Sequence, residues 1–334
     1  MNTLEDLGIS DEDARRWVAI GVMSADEYQR YVEAQKSAAF DGEQIGTWRS
    51  LPRRRGKSAK SKALIAAAKA YLAEAHPTTV RGVCYYLFTR GVIASMSKNE
   101  TGKVSKQLTD AREAGAIPWE WVVDETRELE REPSWDDPDE YVRVVRRSYR
   151  RDFWTAQPAR VEIWSEKGTI RGVLKSVLDE YGVGFRVMHG YGSATAVHEV
   201  AATDPGTPLI VLYVGDWDPS GMNMSEVDLP KRLSAYGGHH VTIRRIALTQ
   251  DDLEPLPSFP ASSKKGDSRY GWFVERYGDR CWELDAMHPN ELRDRVESNI
   301  KALIEPTAWA QCERAQSAEQ ESLKTLLDRW KAAS

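Results

Sequence analysis

Three acids stand at the ends of two apolar runs near the middle of this chain. Glu166 closes Val161-Glu162-Ile163-Trp164-Ser165-Glu166. Asp216 and Asp218 close the run from Leu209 through Val214 and Gly215. Acids two apart on extended backbone point to the same side. Three carboxylates brought together repel one another, a cost that a divalent cation removes. An oxygen-only donor set without histidine or thiolate suits a hard ion, magnesium or manganese. Each acid alone has a plainer use as a helix cap, Asp218 before Pro219 above all.

A second candidate lies upstream. In Thr79-Val80-Arg81-Gly82-Val83-Cys84-Tyr85, the residues Val80, Val83, Cys84 and Leu87 form one apolar helical stripe. Arg81 and Tyr85, four apart, share a different face, and Tyr86 points away from them. A phenol with a pKa near ~10 is a poor nucleophile at neutral pH, and a neighbouring guanidinium would favour its phenolate or hold a phosphate.

The acids must be positioned by an α/β body. Residues 159–248 alternate between apolar runs of strand length and amphipathic helical stretches. Strands are expected at Val161–Ser165, Phe185–Met188, Pro208–Val214 and His240–Leu248, with helices at Thr169–Tyr181, Ser193–Ala202 and after Gly221. The near-continuous run Pro208–Val214 reads as a strand buried on both faces. In such a doubly wound, mostly parallel sheet, ligands bind beyond the carboxyl ends of the strands, where the three acids stand.

The tyrosine must be positioned by residues 51–124. Helices are expected at Lys62–Ala75, Thr79–Arg90 and Lys103–Ala114, followed by a strand in which Ile117, Trp119, Trp121 and Val123 alternate. These are the parts of a winged helix. Lys103, Lys106 and Arg112 on the third helix would suit phosphate contacts. Residues 1–50 read as two short helices, and residues 125–158 as a connector containing a basic helix from about Pro138 to Trp154. Residues 159–334 are the α/β domain with a helical extension, in which Asp267, Arg269, Glu283 and Asp285 stand out without a role that the sequence defines.

Composition narrows the classes. The formal net charge is −5 over 334 residues, so the chain is not coated in positive charge. Patterning is uneven, however. Arg53, Arg54, Arg55, Lys57, Lys60 and Lys62 crowd one segment, and Arg143, Arg146, Arg147, Arg150 and Arg151 another. Three scattered cysteines, Cys84, Cys281 and Cys312, make neither a zinc ribbon nor a disulfide framework. No apolar run approaches the ~20 residues of a membrane span. The acidic start lacks the form of a secretory signal, and a cytoplasmic protein without membrane contact is expected.

The Glu166 strand tip, His189-Gly190-Tyr191-Gly192, and Asp216-Trp217-Asp218-Pro219-Ser220-Gly221 resemble the Toprim fold of topoisomerases, primases and some nucleases. Ser165-Glu166-Lys167 and the DxDPxG run are most similar to the A subunit of topoisomerase VI and its relative, the meiotic double-strand-break transesterase. Those relatives usually carry a proline soon after the glycine pair, where this chain has Ser193 and Ala194. The resemblance implies that Glu166, Asp216 and Asp218 hold Mg2+. It also implies a winged helix with a nucleophilic tyrosine, a role that the Arg81 spacing assigns to Tyr85. The implied activity is that of a type IIB topoisomerase: cleavage of double-stranded DNA through a tyrosyl–DNA link by a homodimer, the tyrosine of one protomer working with the metal site of the other. Strand passage would need a separate ATPase (B-type) subunit, since no GxxxxGK[ST] phosphate loop is present. A hydrolytic Toprim nuclease and a non-catalytic DNA-binding protein are the alternatives.

Overall fold

In a computed structural model, the structure describes Asp26, Gln29 and residues 58–123, 134–188, 194–203 and 206–333. The helices expected in residues 1–50, most of the first basic cluster and the glycine-containing run at 189–193 lie outside the described residues. The chain divides into two compact units at Lys60/Ser61, and the second contains both candidate sites.

The boundary falls in the first turn of α1 (Ala59–Ala75), whose alanines favour helix and whose Leu64, Ala68, Tyr71, Leu72 and Ala75 form its buried stripe. A two-residue strand, β1 (Thr78–Thr79), leads into α2 (Val80–Thr89), where Thr79 caps the helix by accepting the Gly82 N–H at 2.9 Å. The third helix, α3 (Lys98–Glu113), starts a turn earlier than expected because Ser97 provides the cap. Val104, Leu108 and Ala111 are its buried residues, and the three helices enclose one core with Ile93, Ile117 and Val122.

The strand expected over Ile117–Val123 is mostly replaced by a 3-10 turn at Trp119–Trp121; only β2 (Val122–Val123) pairs, in parallel with β1. Pro118 introduces the turn, and the two tryptophans serve as covers. Trp119 lies under the Arg112 guanidinium, 4.3 Å from ring centroid, and Trp121 stacks on His76 at 4.7 Å. The basic helix is also shorter than expected. It ends as α4 (Pro138–Ser148), and a separate 3-10 turn, Phe153–Ala156, is capped by Asp152.

The α/β pattern is present as a four-stranded, all-parallel sheet. Its strands are β3 (Arg160–Ser165), β4 (Gly184–Val187), β5 (Leu209–Val214) and β6 (Val241–Ala247), in the order β4-β3-β5-β6. Helices α5 (Ile170–Tyr181), α6 (Ala194–Ala202), α7 (Pro219–Asn223) and α8 (Leu229–Ala235) connect them, the last two joined by a π-helical turn at Met224–Asp228. The period of two divides β5 between two cores. Leu212 and Val214 face the core of α5; Leu209, Val211 and Tyr213 face that of α6 and α8. The strand order reverses between β3 and β5, whose carboxyl ends lie side by side, Ser165 opposite Val214. That reversal opens the crevice in which ligands of open α/β sheets bind.

Beyond the sheet, β7 (Phe259–Pro260) pairs antiparallel with β8 (Arg280–Cys281), with α9 (Tyr270–Tyr277) between them. Two helices follow, α10 (Pro289–Lys301) and α11 (Pro306–Ala333). The helical segment and the sheet are tied directly. Arg293 of α10 donates to the carbonyls of Ala75, His76, Pro77 and Val173, and α5 passes so close that a Cβ on Gly172 would meet Val123 at 2.6 Å. Among the described residues, no helix is long and apolar enough to cross a membrane.

Candidate active site

Glu166 follows β3, and Asp216 and Asp218 follow β5, so adjacent parallel strands carry all three acids to one crevice. Asp218 is buried and caps α7, accepting the Gly221 N–H at 2.8 Å with Oδ1, while Oδ2 faces Lys264 Nζ at 3.2 Å. Asp216 Oδ1 accepts the Leu284 N–H at 2.7 Å and pairs with Lys167 Nζ at 2.8 Å. Glu166 makes no hydrogen bond or ion pair with any described residue. Burial first, then the charges of Asp218 and Asp216, push the Glu166 carboxyl above its ordinary value. Burial also pushes Asp216 up, against the pull of Lys167.

The loop bearing Asp216 and Asp218 is held by a residue without an obvious sequence signal. The Arg245 guanidinium, drawn inward from β6, donates to the carbonyls of Gly215 (3.0 Å), Leu248 (3.1 Å), Asp216 (3.2 Å) and Gly221 (2.7 Å), and to Ser225 Oγ (3.0 Å). The turn is so tight that a Cβ on Gly221 would sit 2.4 Å from the Asp216 carbonyl oxygen.

Two further acids reach the crevice from the end of the chain. Trp217 and Trp282 exchange backbone hydrogen bonds of 2.9 and 3.0 Å, which carries Glu283 and Asp285 to the tip of β5. Asp285 is buried and accepts from the Thr79 hydroxyl and from Lys167 Nζ, the latter at 2.6 Å. Burial opposes its charge, but Lys167, Thr79 and Arg81 outweigh burial and hold the carboxyl below its ordinary value. Lys167 thus lies between Asp216, Asp285 and, at 3.9 Å, Glu283. Burial works against its ammonium, yet these acids raise its pKa.

Glu283 takes the guanidinium of Arg81 in a two-pronged pair. Arg81 also lies over the ring of Tyr85, 5.8 Å from its centroid. Tyr85 is only 4% exposed and sits outside the hydrophobic clusters, whereas Tyr86 stacks on Tyr71 at 4.1 Å. Burial and the Glu283 charge push the Tyr85 phenol up, and Arg81 and Lys167 only partly offset them, so the group is a neutral phenol at physiological pH. Arg81, Tyr85, Glu283 and Lys264 border a cleft of ≈ 540 Å³ that also includes Phe88, Phe259 and Ser263. The resemblance implies a tyrosine that serves the other protomer; here Arg81 and Tyr85 lie against acids and Lys167 of their own chain.

The cations expected to form basic surfaces are largely engaged within the chain. Arg146 pairs with Asp328, Arg151 with Glu319, and Arg150 donates to the carbonyls of Asp179 and Glu180. Lys103 pairs with Glu100 at 2.6 Å.

Among the described residues, no group of three or more His, Cys, Asp or Glu side chains stands arranged to hold a metal ion. Lys167 and Lys264 hold two of the expected ligands, Asp216 and Asp218. The donor chemistry nevertheless fits a hard divalent ion, because the donors are all oxygen and the half-buried Glu166 carboxylate faces the like charges of Asp218 and Asp216, which Lys167 and Lys264 only partly offset. Glu283, Asp285, Lys167, Arg245 and Lys264 complete the crevice. Of these, the sequence singled out Glu283 and Asp285 without a role, noted Lys167 only beside Glu166, and gave no signal for Arg245 or Lys264. No family model, no curated protein and no solved structure matches the chain.

Proposed function

We propose that the chain is a magnesium-dependent DNA-cleaving transesterase resembling the A subunit of topoisomerase VI, with the sheet body as a Toprim domain and residues 61–123 as a winged-helix variant. The observation that carries this reading is the Arg81–Glu283 pair. It joins the tyrosine-bearing helix to the turn that borders the strand-end acids, so a phosphodiester in the cleft would meet Tyr85, Arg81, Glu283 and Lys264, the last of which pairs with Asp218.

In this reaction the Tyr85 oxygen bonds to a backbone phosphorus, the phosphorus–oxygen bond to the neighbouring sugar breaks, and the tyrosine proton, passed to solvent as the new bond forms, is made up on the leaving sugar oxygen, which departs as a hydroxyl. Arg81 and Lys167 are the cations that favour the phenolate, because their charges lower its pKa. Magnesium held by Glu166, Asp216 and Asp218 would supply Lewis-acid stabilisation of charge on the phosphate. One tyrosine cuts one strand, so a double-strand break calls for a symmetric pair of protomers. Strand passage would call for a separate ATPase.

One observation favours a second reading. The Tyr85 phenol is buried and held protonated, which suits a hydrolytic nuclease using water at the same acids. Incubation with duplex DNA and magnesium, followed by denaturation, separates the readings. Protein-linked ends that disappear in Tyr85→Phe support the transesterase; an adduct that persists in that variant removes Tyr85 from the reaction. Free ends without adduct favour the nuclease, and intact DNA with any candidate ATPase favours a binding protein.

A further inference from the structure

The crevice neutralises itself with its own cations. Lys264 Nζ lies 3.2 Å from Asp218 Oδ2, Lys167 Nζ lies 2.8 Å from Asp216 Oδ1, and Arg81 is on Glu283. Two of these cations, Arg81 and Lys264, also border the cleft that holds Tyr85, together with Ser258 and Ser263. Their side chains are 44% and 43% exposed, whereas Asp218 and Glu283 are 6% and 13% exposed. Arg81, Lys264 and Glu283 thus line the cleft, whereas Asp218 lies behind Lys264. Lys264 in particular spans from the solvent side to a carboxylate expected to be a metal ligand.

We propose that Lys264 is a phosphate-binding residue that a divalent cation releases: a cation taken by Glu166, Asp216 and Asp218 displaces the Lys264 ammonium from Asp218, and the freed ammonium binds a DNA phosphate in the cleft. Divalent cation and phosphodiester therefore bind with positive coupling, each raising the affinity for the other by the same factor. The reason is electrostatic. Without the divalent ion, a phosphate must compete with Asp218 for Lys264; without the phosphate, the divalent ion must displace an ammonium that has nowhere better to go. Lys167 is not released in the same way, because it is also held by the buried Asp285 at 2.6 Å, which in turn accepts from Thr79 at the start of the tyrosine-bearing helix. The inference rests on the reading of Glu166, Asp216 and Asp218 as a divalent site, but not on any cleavage step.

The test uses binding alone, in the full-length Tyr85→Phe chain. Anisotropy of a short fluorescein-labelled duplex gives the DNA affinity in EDTA and in Mg2+ at matched ionic strength, and the electron paramagnetic resonance of free Mn2+ gives the metal affinity with and without the duplex. Coupling predicts that Mg2+ raises DNA affinity roughly 5–150-fold, against the general weakening that added counterions produce. Adding Lys264→Ala should tighten Mn2+ binding in the absence of DNA, because the competing ammonium is gone, and should cost clearly more DNA affinity in Mg2+ than in EDTA, so that the Mg2+-dependent gain is lost. Lys264→Arg should restore the gain. Mg2+ that leaves or lowers DNA affinity in the Tyr85→Phe chain would overturn the proposal. So would Lys264→Ala that weakens DNA binding equally in EDTA and Mg2+, or that leaves Mn2+ affinity unchanged. Coupling in a chain whose native form yields no tyrosyl adduct would retain this inference and reject the transesterase; an adduct without coupling would do the reverse.

Discussion

Arg81 and Glu283 lie 202 positions apart in the chain and form a two-pronged ion pair at the edge of the Tyr85 cleft. The pair spans the two halves of the candidate site: Arg81 belongs to the helix of Tyr85, and Glu283 to the turn that Trp282 pins against Trp217. An ion pair with one partner nearly half exposed contributes little to stability. Its consequence is placement.

Arg81→Lys keeps the charge and loses the fork. The expected change in folding stability is within about 1 kcal/mol by urea denaturation, whereas tyrosyl-adduct formation is expected to fall by about a hundredfold, the scale of losing one oriented donor at a reacting centre. An unchanged adduct yield would detach Arg81 from the reaction.

Glu166 supplies a pH signature. Its carboxyl is raised in the folded chain, by burial and by Asp218 and Asp216. A raised folded value means that the folded state binds more protons across the window, so the group's stabilising contribution is complete below its unfolded value, about 4.3, and is lost as pH rises through the folded value. Glu166→Gln in metal-free buffer should therefore melt above the native chain at neutral pH, with the difference closing as the pH falls toward about 4. A difference that is constant with pH would refute the electrostatic cause. Added Mg2+ should protect the native chain more than the variant.

Arg245 and Gly221 shape the loop that carries Asp216 and Asp218. Arg245→Met removes a buried donor from five carbonyls; those of Gly215, Ala247 and Gly221 keep another donor, and each group left unpaired costs about 1–3 kcal/mol. Severe destabilisation, or failure to accumulate folded protein, is expected. Gly221→Ala is the milder probe. Its Cβ would press on the Asp216 carbonyl, so Mn2+ affinity should fall with little loss of helical circular dichroism. Native Mn2+ affinity in Gly221→Ala would show that the tight turn does not set the acids.

Arg151 lies in a basic cluster that the sequence alone suggests for nucleic acid, yet it pairs with Glu319 on α11. Arg151→Ala is expected to change the melting temperature little and to leave the salt dependence of DNA binding unchanged. A slope shallower by about 0.9 in log K against log salt would instead place Arg151 on a phosphate.

The sequence by itself determined the parallel α/β body and the position of Glu166, Asp216 and Asp218 at its strand ends. Hydrophobic period reports which face of each segment is buried, and a run such as Leu209–Val214, apolar at both parities, has one good solution in the middle of a sheet. It also separated Tyr85 from Tyr86, since the apolar stripe of α2 leaves Arg81 and Tyr85 on a different face. The same local logic erred at Ile117–Val123, where the alternation of large side chains came from stacking on Arg112 and His76. Only the tertiary structure decided what surrounds the acids. The placement of Lys167 between Asp216 and Asp285, of Lys264 on Asp218, of Glu283 on Arg81 and of Arg245 under the β5 loop depends on segments far apart in the chain. Such charges carry no periodic mark, and a lysine or glutamate reads as surface until packing brings its partner within hydrogen-bonding reach.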